Sequence, residues 1–190
     1  LNIDTDYFAL SLSYSPGHCD TVKNRIKDFI KEGENKKAKK LKKNNTVQCF
    51  NNNNFGWIVH GLWGQDREAK DYKEHPQYCK GELEDISITT IESYLCSPTP
   101  SAWLMQHEWE KHGSCDFPTP EKYISKTNKL FKMFKYPHNQ KDIENAISWI
   151  KENNKELKNL RLSKAGKDIL ICFDKKFQPK SCEILSYEDK

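Results

Sequence analysis

Seven cysteines in 190 residues, Cys19, Cys49, Cys79, Cys96, Cys115, Cys172 and Cys182, constrain this chain more than any other feature. None stands in a CxxC pair, so neither a zinc ribbon nor a thioredoxin-type motif is available. Disulfides formed in an oxidising compartment are the better explanation. The odd number leaves at least one thiol free or paired between chains. Cross-links of this kind add to a core, and nine Phe, eight Tyr and five Trp supply the side chains for one despite a hydrophobic content of only 36%. A single domain over 1–190 is expected. No run approaches the ~18 apolar residues of a membrane span, and no signal peptide precedes Leu1, so a soluble chain with no membrane partner is expected.

The net charge of +4 is unevenly placed. Between Lys23 and Lys43 ten Lys/Arg face three acidic residues, a local charge of +7 that leaves the rest at about −3. Overall basicity is therefore weak evidence for an anionic partner. The Lys-rich stretch, a helical insert at about 23–44, reads either as a solvated helix or as a polyanion contact.

Tyr7 to Tyr14 alternates, with Phe8, Leu10, Leu12 and Tyr14 on one face and Ala9, Ser11 and Ser13 on the other, and predicts a strand that ends at Pro16-Gly17. Phe55 to His60 predicts a second strand, followed by polar connecting sequence from Gln65 to Glu84. Helices are predicted from Ser87 to Leu95, from Ala102 to His112 with Gly113 as C-cap, from Glu121 to Phe134, and from Asp142 to Glu152. A closing hairpin is predicted from Asp168–Phe173 and Cys182–Tyr187. The fold class is α+β in one domain.

Within QHEWEKHGSC, Gln106 to Cys115, two histidines, two glutamates and a lysine fall between His107 and Gly113. A zinc protease needs histidines at i and i+4, about 40° apart around a helix. Here the i+4 position is Lys111, and His112 at i+5 lies about 140° away. An ammonium at the ligand position argues against a metal. On an ideal helix His107/Lys111 and Glu108/His112 form i,i+4 pairs, which suits proton transfer beside an anion. Charged i,i+4 pairs are also common as solvent-facing decoration, although Trp109, Gly113 and Cys115 suggest a packed segment.

The second dense patch is GWIVHGLWGQ, Gly56 to Gln65, where alternation sets His60 opposite Trp57 and Val59. A lone histidine at a strand end is commonly structural. Two histidine-bearing, Trp-rich segments in one small domain shift that balance.

WIVHGLWGQ and HEWEKHGSC resemble the two active-site segments of the T2 family of acid ribonucleases, whose patterns run approximately FTIHGLWP and HEWEKHGTC. The departures are Trp57, Val59 and Gly64 in the first and Ser114 in the second. ALSLSYSPGHC resembles the family's first strand and LICF through CEI its closing hairpin. The resemblance implies a central antiparallel sheet flanked by helices and stapled by disulfides, for which it pairs Cys19–Cys49, Cys79–Cys115 and Cys172–Cys182 and leaves Cys96 over. It implies an endoribonuclease cleaving single-stranded RNA, with low base specificity and no metal or cofactor, through 2′,3′-cyclic phosphates to 3′-phosphates. His112 matches the general base, His60 the general acid, His107 a phosphate-contacting residue, and Glu108 and Lys111 residues that stabilise the transition state. Trp63 matches a base-stacking residue, and Gln65 stands where relatives often carry an Asp that bonds the base. Which of His60 and His112 is acid and which base does not follow from the residues alone. A monomer without an obligate protein partner, in a secreted, periplasmic or lysosome/vacuole-like compartment, completes the expectation. A catalytically dead RNA- or protein-binding relative and a metal enzyme are the alternatives.

Overall fold

The computed structural model describes residues 4–95 and 98–183. Its framework is an antiparallel sheet of order β2-β1-β4-β3, with β5 added to β4, built from β1 (Tyr7–Tyr14), β2 (Trp57–Gln65), β3 (Ser163–Ala165), β4 (Asp168–Phe173) and β5 (Pro179–Lys180). The alternation in β1 separates the faces as predicted: Leu10 and Leu12 enter the main core with Val59, Leu62, Ile169, Ile171 and Phe173. Helices α6 (Pro120–Phe131) and α7 (Ile143–Asn153) cover that face through Leu130, Ala146 and Ile150. The other face carries Ala9, Leu170 and Cys172 in a smaller cluster, with Trp63 packed against it. Ser11, Ser13 and Asp168 meet near this cluster.

Helix starts follow side-chain chemistry. Ser87 caps α3 (Ile88–Tyr94), Ser101 caps α4 (Ala102–Glu108), Thr119 caps α6 and Asp142 caps α7, each accepting a first-turn N–H. Pro16-Gly17 does not leave a loop after β1: α1 (Ser15–Lys31) begins at once, with the proline in its first turn, where a missing N–H costs nothing. The Lys-rich stretch expected as one insert is the end of α1, a break at Gly33 with φ +77°, and α2 (Asn35–Asn44). Only Ala38 of α2 is buried.

Two further expectations are corrected. β2 runs on to Gln65, so His60 lies inside the strand and the polar connection begins after it. The closing hairpin pairs Cys172 and Phe173 with Lys180 and Pro179, inside the segment expected as its turn. Cys182 lies beyond β5, and residues 184–187 of the expected last strand and Cys96 lie outside the described residues. The disulfides are Cys19–Cys49, Cys79–Cys115 and Cys172–Cys182. Closing loops of 10 to 36 residues, each contributes about 2–4 kcal/mol.

Candidate active site

His60 owes its position to an irregularity in the sheet. Leu12 pairs with Val59 but Ser11 with Gly61, so His60 is an extra residue in β2, a β-bulge of the kind that re-aims a side chain. A strict two-residue repeat would set residues 60 and 63 on opposite faces. The bulge returns Leu62 to the core and leaves His60 and Trp63 together, their rings 5.4 Å apart and edge-on.

The second motif departs from the expected helix. The α-helix stops at Glu108, and Trp109–Gly113 forms a π turn that continues into the short α5 (Ser114–Asp116). An extra residue per turn is a frequent device at functional sites. It withdraws the ideal i,i+4 geometry: Glu108 is 3% exposed and directs one carboxylate oxygen to the Trp63 indole N–H at 2.7 Å and the other toward His60 Nε2 at 3.4 Å. It acts on His112 through charge. Gly113 is no left-handed C-cap, since it has φ −60°; a Cβ there would sit 2.6 Å from the Tyr123 ring and 2.8 Å from Trp109. Gly61 is required in the same way, because a Cβ would stand 2.1 Å from Glu108 Oε2.

Trp63 therefore lies between two imidazoles, its ring also 5.4 Å from that of His112. Their electrostatics diverge. Burial works against charge on His60, although 36% of its side chain stays accessible, but hydrogen bonds that it donates to the Asp168 and Glu108 carboxylates, and their charge, outweigh this and raise its pKa to about 10. Burial, with Lys111 adding to it, lowers that of His112 to about 4, against the opposing charge of Glu108. His112 Nδ1 is buried without a hydrogen bond of good geometry, so the Pro76 backbone opposes this only in part. Burial pushes the carboxyl of Glu108 up, but His60, His112 and Trp63 more than offset it and keep the group ionised.

Two clefts open beside the pair. One, of about 340 Å³, is lined by His60, Ser13, His18, Trp103 and residues of α2 and its end, including Leu41 and Asn44. The other, of about 210 Å³, is lined by His112, Lys111, Trp63, Gln65, Tyr72 and His75. Gln65 is 6% exposed and donates to its neighbour Gly64. His107 lines neither cleft; its ring stacks on Trp103 at 5.2 Å, at the His60 side. Among the described residues no cluster of three or more His, Cys, Asp or Glu is arranged to hold a metal ion.

The sequence profile of the Ribonuclease T2 family matches residues 5–182. The chain belongs to the ribonuclease T2 family. A probable ribonuclease of Haemophilus influenzae is 37% identical over 178 residues, which is 94% of this chain and 61% of that protein. The T2 chain thus spans under two thirds of that relative's length. Among solved structures, the S-like ribonuclease trichomaglin superposes with a TM-score of 0.59 at 18% identity, over 95% of this chain and 92% of that one. RNase NT, solved in complex with 5′-AMP, gives 0.56 at 17% over 98% and 94%. At these identities the superpositions establish the T2 fold. Asp168, Ser11 and Ser13 adjoin His60 from outside the two motifs, and Gly61, inside the first, is packed against Glu108. Asp168 merely begins an apolar strand, and only the sheet order brings it to His60.

Proposed function

We propose that the chain is a single-domain endoribonuclease that cleaves single-stranded RNA by transesterification. The observation that carries this is the opposite displacement of two imidazoles on either side of Trp63, one neutral and one charged across the same broad pH range. RNA supplies its own nucleophile. His112, uncharged, takes the 2′-OH proton as that oxygen attacks phosphorus; His60 gives its Nε2 proton to the departing 5′-oxygen. The first product is a 2′,3′-cyclic phosphate, which water opens to a 3′-phosphate with the two roles reversed. Lys111 beside His112 supplies positive charge for the phosphorane-like transition state, and His107, stacked on Trp103 at the His60 side, is assigned the phosphate contact. Glu108 holds His60 charged and Trp63 in place. DNA, without the 2′-OH, is inert.

The cleft of Trp63 and Tyr72 offers ring faces to a base, and the inward-turned Gln65 amide supports low base specificity. The two imidazoles need no metal or cofactor. Three disulfides support an oxidising compartment, secreted, periplasmic or lysosome/vacuole-like, and a monomer without a protein partner is part of the same reading.

The test is an assay of homopolymers and DNA with EDTA present. His60→Ala and His112→Ala are each expected to lose roughly 10²–10⁴-fold in rate. In wild type kcat/KM should fall only below about pH 4, as His112 takes a proton, and above about pH 10, as His60 loses one. Near-wild-type cleavage by both variants overturns the assignment.

A further inference from the structure

Asp168 belongs to neither motif, yet it makes the shortest polar contact of His60: Oδ2 lies 2.6 Å from Nδ1. Two hydroxyls hold the same carboxylate, Ser11 donating to Oδ2 at 2.8 Å and Ser13 to Oδ1 at 2.6 Å. The donors come from β2 and β1 and converge on the first residue of β4, an arrangement the antiparallel order β2-β1-β4 makes possible. The Asp168 side chain is only 14% exposed. A carboxylate fixed by hydroxyls of a neighbouring strand cannot swing to follow the ring. The ring is held instead, as in sites where a carboxylate sets an imidazole's tautomer.

We propose that Asp168 is the positioning residue of the reaction centre: by accepting the Nδ1 hydrogen of His60 it fixes the tautomer and leaves Nε2, which faces Glu108 Oε1 at 3.4 Å, as the nitrogen that gives its hydrogen to the leaving 5′-oxygen. The inference rests on the reading of His60 as general acid. After that proton has gone, the bond to Asp168 keeps hydrogen on Nδ1, and the Nε2 lone pair is free to accept a proton from the water that opens the cyclic phosphate. The serines and the bulge thus serve one purpose, holding the acid in one orientation through both steps.

The groups facing His60 are Asp168 from β4, Glu108 from the end of α4, His112 from the π turn and the Trp63 edge from its own strand, with His18 of α1 lining the same cleft. Burial disfavours charge on Asp168, but His60 and the two serines outweigh it and keep the carboxylate ionised. Removing that one charge while keeping an oxygen in place therefore isolates its effect. The competing explanation, a clamp that merely closes the strand end, predicts a loss that does not vary with pH.

The experiment is Asp168→Asn, read in two ways. Ring titration of His60 is followed by NMR without substrate, and kcat/KM on a dinucleotide is measured from pH 5 to 10. The titration of His60 is expected to move down by about 1–3 pH units, and the alkaline limb of the rate with it. The loss in rate should grow from about threefold at pH 5 to about 10²-fold at pH 9. An unmoved titration, or an equal loss at every pH, overturns the proposal. Wild type supplies a reading that needs no variant: a downfield imidazole N–H resonance, absent from His60→Ala, whose failure to appear also counts against the pair. Because the NMR readings need no activity, a failure of the ribonuclease reading itself, with His60→Ala fully active, is distinguishable.

Discussion

Gly61 shows how closely the reactive groups are packed. Any side chain there would overlap a Glu108 oxygen and approach the Trp63 indole nitrogen to 2.6 Å. Gly61→Ala is expected to displace the Glu108 carboxylate, destabilise the fold by about 1–3 kcal/mol and lower kcat more than KM, as thermal unfolding and steady-state kinetics would register. Restoration of wild-type kcat would show that Glu108 needs no fixed place. At this scale the sequence was legible where chemistry recurs in a motif: His60, Trp63, Glu108, Lys111 and His112 do lie around one centre. Asp168 was illegible because an aspartate opening an apolar strand resembles any strand-end polar residue. Its meaning depends on Ser11 and Ser13, which are more than 150 positions distant.

Most element boundaries were readable because capping and alternation are local. The two irregular elements were not. The π turn at Trp109–Gly113 and the bulge at His60 each insert one residue into a regular repeat, and periodicity cannot anticipate a break that tertiary contacts stabilise. The basic pair α1–α2 raises a separate question. Leu41 and Asn44 of α2 line the cleft that contains His60, while Lys36, Lys39, Lys40 and Lys43 are exposed. Since His60 is proposed to face the leaving oxygen, this cleft leads to the RNA beyond the scissile bond. Replacing these four lysines with Gln is expected to raise KM for long RNA and flatten its salt dependence, with kcat on a dinucleotide unchanged. An unaltered salt slope would identify α2 as a solvated helix.

Across the whole molecule the two imidazoles couple the site to the stability of the fold. His112 remains neutral in the folded chain down to about pH 4 but takes a proton near 6.5 when unfolded, so stability falls as pH drops through that interval. His60 remains charged up to about pH 10 when folded, so its contribution is complete below 6.5 and is lost as pH rises toward 10. The pair therefore favours maximal stability near 6.5. Thermal scans of His112→Ala should show less loss on the acid side than wild type, and those of His60→Ala a smaller decline on the alkaline side. Parallel curves for all three proteins would contradict the divergent environments.

The extra residue in β2 also determines where this chain tolerates change in length. Removing one residue between Val59 and Leu62 would close the bulge: strict alternation then keeps Leu62 in the core and Trp63 on the cleft face, but the re-aimed position of His60 is lost. Adding one would exchange the faces of everything after it, sending Leu62 to the cleft and Trp63 into the core. Within the polar connection between β2 and α3, residues 80–85 beyond the bridged Cys79 are mostly exposed, carry no such alternation and make few demands on their count. Insertions and deletions among natural variants of this chain should accordingly accumulate in that stretch and be excluded from four consecutive positions of β2.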